Sequence, residues 1–370
     1  MMARIDAAMV LEAIADVADP DLDESLVALN LVRFELDGRR PLVRAFVVPG
    51  SEVVADAVRL ALRERLTPLG VDVALEALDD EGLARLAERL ETPEEREARR
   101  ARTVPFSRPE STTRVLGISS GKGGVGKSSV SVNLALALAA RGARTAIVDA
   151  DVYGFSVPKM LGDERPPRVV GDLILPPRIR GVRVISLGFF VDDATPVIWR
   201  GPMLHSTLQQ FLVDVAWGRL DYLVVDMPPG TGDVALSLQE FLPRSEIYVV
   251  TTPQPAAQRV AQRSAIAARK LKLPVRGVIE NMADFVTEDG RRYAIFGSGG
   301  GDALAAALEV PVLGRIPLTM ALRAGGDEGE PVVAAHPEDP AAVAIRELAE
   351  RIVSLGPTRR YRADLRLQAR

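Results

Sequence analysis

Residues 121–129, "GKGGVGKSS", constrain this chain more tightly than any other stretch. They follow the β-branched run "RVLGIS" and precede "SVSVNLALALAARG", whose apolar residues predict a helix. Gly121, four intervening residues, then Gly126-Lys127-Ser128, set between a strand and a helix, is the phosphate-binding loop pattern. The glycines let consecutive backbone N–H groups converge on phosphate oxygens, and the helix N-terminus adds its partial positive charge. Lys127 can reach the β and γ oxygens, and the Ser128 hydroxyl suits Mg²⁺. Gly121, Gly123, Gly124, Val125, Gly126, Lys127, Ser128 and Ser129 are therefore the expected nucleotide contacts. A second lysine, Lys122, opens the loop and points away from the phosphates its own backbone wraps, which leaves it free to act on a neighbour.

The segments after this loop repeat its logic. The runs "RTAIVDA", "DYLVVDM", "SEIYVVTT" and "PVRGVIEN" alternate with helix-patterned stretches, as strands buried on both faces do. The expected fold is α/β, a doubly wound, mostly parallel sheet with its ligand at the strand C-terminal ends. Asp149 and Asp151 stand where "TAIVDADVYG" leaves its strand, and Asp226 closes "DYLVVD". Carboxylates there can serve a magnesium shell, with Asp149 and Asp226 joining Ser128 directly or through water. Pro228-Pro229-Gly230-Thr231 stiffens the loop that follows and reads as a γ-phosphate switch.

Before the loop lies a different pattern. An amphipathic stretch to Val17, the strands "LVRFELDG" and "PLVRAFVV" joined through Asp37-Gly38, a helix over 52–66 and a strand over 71–77 predict a small α+β domain in residues 1–90. A charge-dense helix over 81–102 and the proline-containing "TVPFSRPESTTR" make residues 91–113 the charged helix and linker. The sheet domain then occupies 114–356, and a basic tail 357–370 has no assigned role. At 370 residues, 47% of them hydrophobic, the chain can fill two cores.

Composition closes off several classes. A net charge of -4 gives no electrostatic case for nucleic acid as a partner. Asp6, Glu12 and Asp16 interrupt the apolar residues of the N-terminus, which excludes a signal-peptide pattern, and no membrane span is expected. A cytoplasmic protein follows. There is no cysteine, so disulfides, thiol catalysis and thiolate-held metals are excluded together.

The loop "KGGVGK" resembles the deviant phosphate loop of the MinD/ParA/Mrp ATPases, and "DADVYGFSVPKMLG", "WRGPM", "DMPPGTGD", "TTPQPAAQRVA", "GVIENMADF" and "IFGSGGGDALA" are similar to the Mrp/ApbC branch, the iron–sulfur cluster carriers. The N-terminal "DPDLDESLVALNLVRFELDG" resembles the MIP18-like (DUF59) domain that precedes such ATPases. The resemblance implies a slow, dimer-dependent ATP hydrolase with ATP and Mg²⁺, acting in iron–sulfur cluster assembly or transfer with assembly or acceptor proteins as partners. It implies that Lys122 crosses a homodimer interface to the partner's nucleotide, that Asp151 handles the attacking water, and that Asn281 reads the adenine edge. Lys122, Lys127 and Asp151 are then the catalytic set.

This chain departs from that family at one place. Residues 285–290, "FVTEDG", stand where relatives carry Cys-x-x-Cys, and His205 and His336 lie too far away in sequence to rebuild a cluster site. Asp284, Glu288 and Asp289 read as a solvated hairpin tip. The competing function is a MinD/ParA-like nucleotide-switched scaffold without a cluster. "FGSGGG" reads as a turn and helix cap, and Trp199 and Trp217 as packed or interfacial anchors.

Overall fold

The structure is a computed structural model that describes residues 6–37, 40–151, 154–190, 201–230 and 233–357. Gly38, Trp199, Thr231 and the tail beyond residue 357 therefore lie outside the described residues.

The first elements are helix α1 (Ala7–Ala13), strands β1 (Val32–Asp37) and β2 (Arg40–Val47), helix α2 (Glu52–Leu66) and strand β3 (Asp72–Ala77). β1 and β2 pair antiparallel and β2 and β3 parallel, so α2 is the crossover between the parallel pair. The start of α2 is set by Ser51, whose side chain accepts from the Val54 N–H. Val54, Val58, Leu62 and Leu66 recur every fourth position and bury one face of the helix. Val58, Leu62 and Leu66 join Val10, Ile14, Leu26, Val43 and Ala45 in one core, which Val170 and Leu175 from the second part of the chain complete.

Instead of one charged helix over 81–102 there are two, α3 (Asp80–Leu90) and α4 (Pro93–Arg100). Pro93 cannot donate to the preceding turn, and Thr92 and Glu95 form a reciprocal capping box that starts a new helix. The uninterrupted charge pattern hid this stop.

The second part contains β4 (Arg114–Ser120), α5 (Lys127–Ala140), β5 (Thr145–Asp149), α6 (Val157–Leu161), β6 (Arg168–Val170), β7 (Leu173–Leu175), β8 (Arg178–Ile179) and β9 (Val182–Ser186). It continues through α7 (Gly201–Val213), β10 (Tyr222–Asp226), α8 (Asp233–Phe241), β11 (Glu246–Thr251), α9 (Pro255–Lys270), β12 (Val275–Val286) and β13 (Arg292–Tyr293). It ends with α10 (Gly300–Leu308), β14 (Val312–Leu318), α11 (Met320–Glu328), α12 (Val332–Ala335) and α13 (Pro340–Ser354). One nine-stranded sheet runs β14-β12-β11-β4-β10-β5-β9 in parallel, with β13 and β8 added antiparallel.

Helices α5, α6, α11 and α13 pack on one face of this sheet and α7, α8, α9 and α10 on the other. The doubly wound expectation is met. α5 is buried almost all round, from Val130 to Leu138, which explains why its sequence lacks a polar face. β4 lies between β10 and β11, so the loop after β4 opens at the centre of the sheet's C-terminal edge. Trp217 is a packed residue: its ring meets Phe106 edge-on and its indole N–H donates to the Phe211 carbonyl at 2.9 Å.

Candidate functional site

The phosphate loop is shaped by two glycines that nothing else could replace. Gly126 has φ +76° and a Cβ there would lie 2.2 Å from the Asn281 amide nitrogen. At Gly121 a Cβ would lie 2.2 Å from the Ala261 backbone nitrogen, so the loop is pressed against α9. Gly126 is also the N-cap of α5 and contributes no capping side chain, which leaves first-turn N–H groups for an anion.

Behind the loop Asp149 and Asp226, which end β5 and β10, and Asp151 just beyond β5 come together around Lys127. Lys127 Nζ lies 2.7 Å from Asp226 Oδ2 and 3.3 Å from Asp151 Oδ2. The Ser128 hydroxyl donates to the same Asp226 oxygen at 2.6 Å. Ser131, one helical turn beyond Lys127, donates to the other Asp226 oxygen at 2.5 Å. Burial alone would push Lys127 down, but Asp226, Asp151 and Asp149 outweigh it and hold the ammonium above the ordinary lysine value. Lys127 is a charged, tethered cation.

Asp149 is different. It is completely buried, and it accepts hydrogen bonds from the N–H groups of Asp151, Ser156 and Val157 and from the Ser186 hydroxyl. Burial first, and the Asp226 carboxylate second, push it up to about 7. Its oxygens are committed to holding the two loops that follow β5 and β9, so it shapes the site from behind.

A cavity of about 570 Å³ opens over these groups, lined by the loop from Ser120 to Ser129, by Asp151 and by Pro228 and Pro229. That volume and lining suit a nucleotide's phosphates. Ser128 and Asp226 offer the hard oxygen donors Mg²⁺ prefers, so the residues present fit that ion. Lys122 stands at the cavity rim, where its ammonium donates to Gln254 Oε1 at 3.4 Å. A bond that long beside the positive end of α9 holds the side chain weakly.

Asn281 sits beneath the loop, buried, and its amide nitrogen donates to the Val125 carbonyl at 2.9 Å. One of its two amide N–H groups holds the loop in this way, and the amide oxygen has no partner among the described residues. Ser131, Ser186 and Gln254 escaped the sequence reading. Ser131 was legible as the residue four positions after Lys127, on the same helix face.

Residues 285–290 lie at a closed hairpin tip between β12 and β13. Thr287 and Arg291 pair through their backbones, Gly290 N–H donates to the Thr287 carbonyl, and Arg291 pairs with Asp289. Among the described residues no group of three or more His, Cys, Asp or Glu gathers as a metal site. The donor set does not fit an iron–sulfur cluster. FGSGGG is a turn and cap, with Gly299 left-handed at the start of α10. Among the described residues no helix is long and apolar enough to cross a membrane.

Known proteins agree with this geometry. The profile of the ParA-type family described as NUBPL iron-transfer P-loop NTPase matches residues 111–353. The chain is 42% identical over 357 residues to the iron-sulfur cluster carrier protein of Mycobacterium leprae, covering 93% of this chain and 92% of that one. It is 42% identical over 347 residues to the iron-sulfur cluster carrier protein of Deinococcus radiodurans, covering 92% and 93%. Among solved structures, a nucleotide-binding protein from Archaeoglobus fulgidus in complex with ADP superposes with a TM-score of 0.54 at 30% identity, over 68% of this chain and 96% of that one. The cell division ATPase MinD of Pyrococcus furiosus gives 0.51 at 26% identity, over 65% and 99%. With a phosphate loop, a tethered lysine and strand-end carboxylates in one cavity, and relatives matched along nearly their whole length, this chain belongs to the family of NUBPL iron-transfer P-loop NTPases.

Proposed function

We propose that the protein is an ATP hydrolase that works as a homodimer in iron–sulfur cluster assembly or transfer, with the cluster as cargo held by the thiolates of an assembly or acceptor protein. The observation that carries the ATPase reading is the triad Lys127, Asp226 and Ser128 at the phosphate loop, with Asp151 beside it on the cavity wall. The cargo reading rests on the relatives named as iron-sulfur cluster carriers.

Lys127 exchanges its contact with Asp226 and Asp151 for the β and γ oxygens of ATP. Its charge is preserved through that exchange because acidic partners stay within a few ångströms. The free first-turn N–H groups of α5 take the remaining phosphate oxygens. The Ser128 hydroxyl and Asp226 would hold magnesium, which when bound would neutralise charge on the phosphates. Asp151 faces the cavity and orients the water that attacks the γ-phosphate. Lys122 leaves Gln254 and reaches the partner subunit's nucleotide, adding positive charge where the transition state becomes negative.

Two measurements test this reading. Purified protein should hydrolyse ATP in a Mg²⁺-dependent manner and double its mass in light scattering when loaded with non-hydrolysed ATP. Incubation with a thiolate-bearing apo acceptor and a cluster donor should accelerate cluster appearance on the acceptor. A nucleotide-loaded monomer without ATPase activity would sink the enzymatic half, and unaltered transfer kinetics the cargo half.

A further inference from the structure

The loop between α1 and β1 carries Asp19, Asp21 and Asp23, and all three carboxylates leave their own module. Arg168 clamps Asp19 through both terminal nitrogens, at 2.7 and 2.8 Å, and Asp21 at 2.8 Å. The other Asp21 oxygen accepts from the Arg178 backbone N–H at 2.8 Å, and Asp23 pairs with Arg178 and Arg183. Arg168, Asp19, Asp21 and Arg183 are all at least 95% buried. The arginines come from β6, β8 and β9, the strands that follow the phosphate-site loop after β5.

One of those strands, β9, ends on Asp149. Arg183 is the second residue of β9 and Ser186 the last, and Ser186 donates to Asp149 Oδ2 at 3.0 Å. At the strand rise of about 3.3 Å per residue, the clasp and the nucleotide-site carboxylate are about 10 Å apart along one buried strand. A second route runs through α6, whose first N–H groups bind Asp149 and whose far end leads to Arg165, 3.9 Å from Asp21.

The clasp is not built for stability alone. Arg168, Arg178 and Arg183 each keep a buried Nε without a hydrogen-bond partner among the described residues. A partly satisfied buried polar network is a poor stabiliser compared with apolar packing, while breaking one of its pairs leaves a buried charge uncompensated, so the clasp is sensitive to small shifts of the strands that carry it.

We propose that this carboxylate–guanidinium clasp couples the N-terminal module to the phosphate site, so that nucleotide loading tightens the grip on Asp19, Asp21 and Asp23 and loss of the grip weakens nucleotide binding. The proposal rests on the nucleotide-site reading above. Coupling of this kind is reciprocal: whatever factor the clasp imposes on nucleotide affinity, nucleotide imposes on the clasp.

Hydrogen exchange on the full-length chain, with and without Mg²⁺ and ADP, tests it. The amides of Leu22 and Leu26, bonded to Asp19 and Val17, should slow about fivefold on loading. Slowed phosphate-loop amides with an unchanged clasp would overturn the coupling alone. Unchanged exchange in both places would overturn the nucleotide reading and the coupling with it. As a second arm, Asp23→Asn acts on the half-exposed member of the clasp, where the fold tolerates change, and should weaken ADP binding about fivefold. A lowered Tm with unaltered ADP affinity would make the clasp a structural fastening and nothing more.

Discussion

Asp226 and Asp149 are direct partners across the adjacent parallel strands β10 and β5, and Lys127 binds the first of them while the second is sealed behind it. At this sheet edge the neighbouring Asp226 carboxylate adds to burial in pushing Asp149 up.

Asp149 therefore gives the protein a pH signature. Its pKa stands at about 7 in the folded chain against an ordinary value of 3.8. The folded state keeps a proton that the unfolded chain releases, so this stabilisation is present in full below about pH 4 and is lost as pH rises toward 7. Asp149→Asn cannot ionise, so its Tm relative to wild type, in metal-free buffer, should rise between pH 4 and 7 by the equivalent of a few kcal/mol at most, roughly. A difference that stays flat across that window contradicts the assignment.

Lys127→Ala removes the cation from two carboxylates and from the phosphates together. The charged contact to nucleotide corresponds to roughly 10- to 100-fold in affinity. Equilibrium binding of a fluorescent ATP analogue should show at least that loss, and binding within twofold of wild type, roughly, would remove Lys127 from the site.

Ser131 fixes the orientation of Asp226 without touching the cavity. Ser131→Ala should raise the Mg²⁺ concentration needed for half-maximal ATPase about 10-fold while leaving Mg²⁺-free nucleotide binding close to wild type. Equal loss of both would show that the residue merely supports the fold.

Gly126→Ala meets the Asn281 amide and a backbone at φ +76°. The expected cost is about 1–3 kcal/mol, read as a lower Tm, with nucleotide affinity falling as well because the loop must shift. Asn281→Ala should then relieve part of the clash in Gly126→Ala, which a double-mutant cycle detects as non-additivity.

Much of this site was written in local sequence. The phosphate loop, the helix it opens and the aspartates at the ends of two strands follow from periodicity and from glycine chemistry within short windows. What local windows cannot contain is strand order, and it is strand order that puts Asp226 beside Asp149 and Asn281 under Val125. The Asp19–Arg168 pair spans 149 residues, so no motif could announce it. The break between α3 and α4 is the opposite case: Thr92, Pro93 and Glu95 spelled it out, and the continuous charge pattern masked it.

The central claim is that Lys122 serves the partner subunit's nucleotide. Lys122→Ala and Asp151→Ala, each alone, should lower turnover by about 100-fold or more. Mixing the two inactive variants is the direct test: in a mixed dimer the site that keeps Asp151 receives Lys122 from the other subunit. Random pairing should restore about a quarter of wild-type ATPase. A mixture that remains as inactive as its parents would contradict the account.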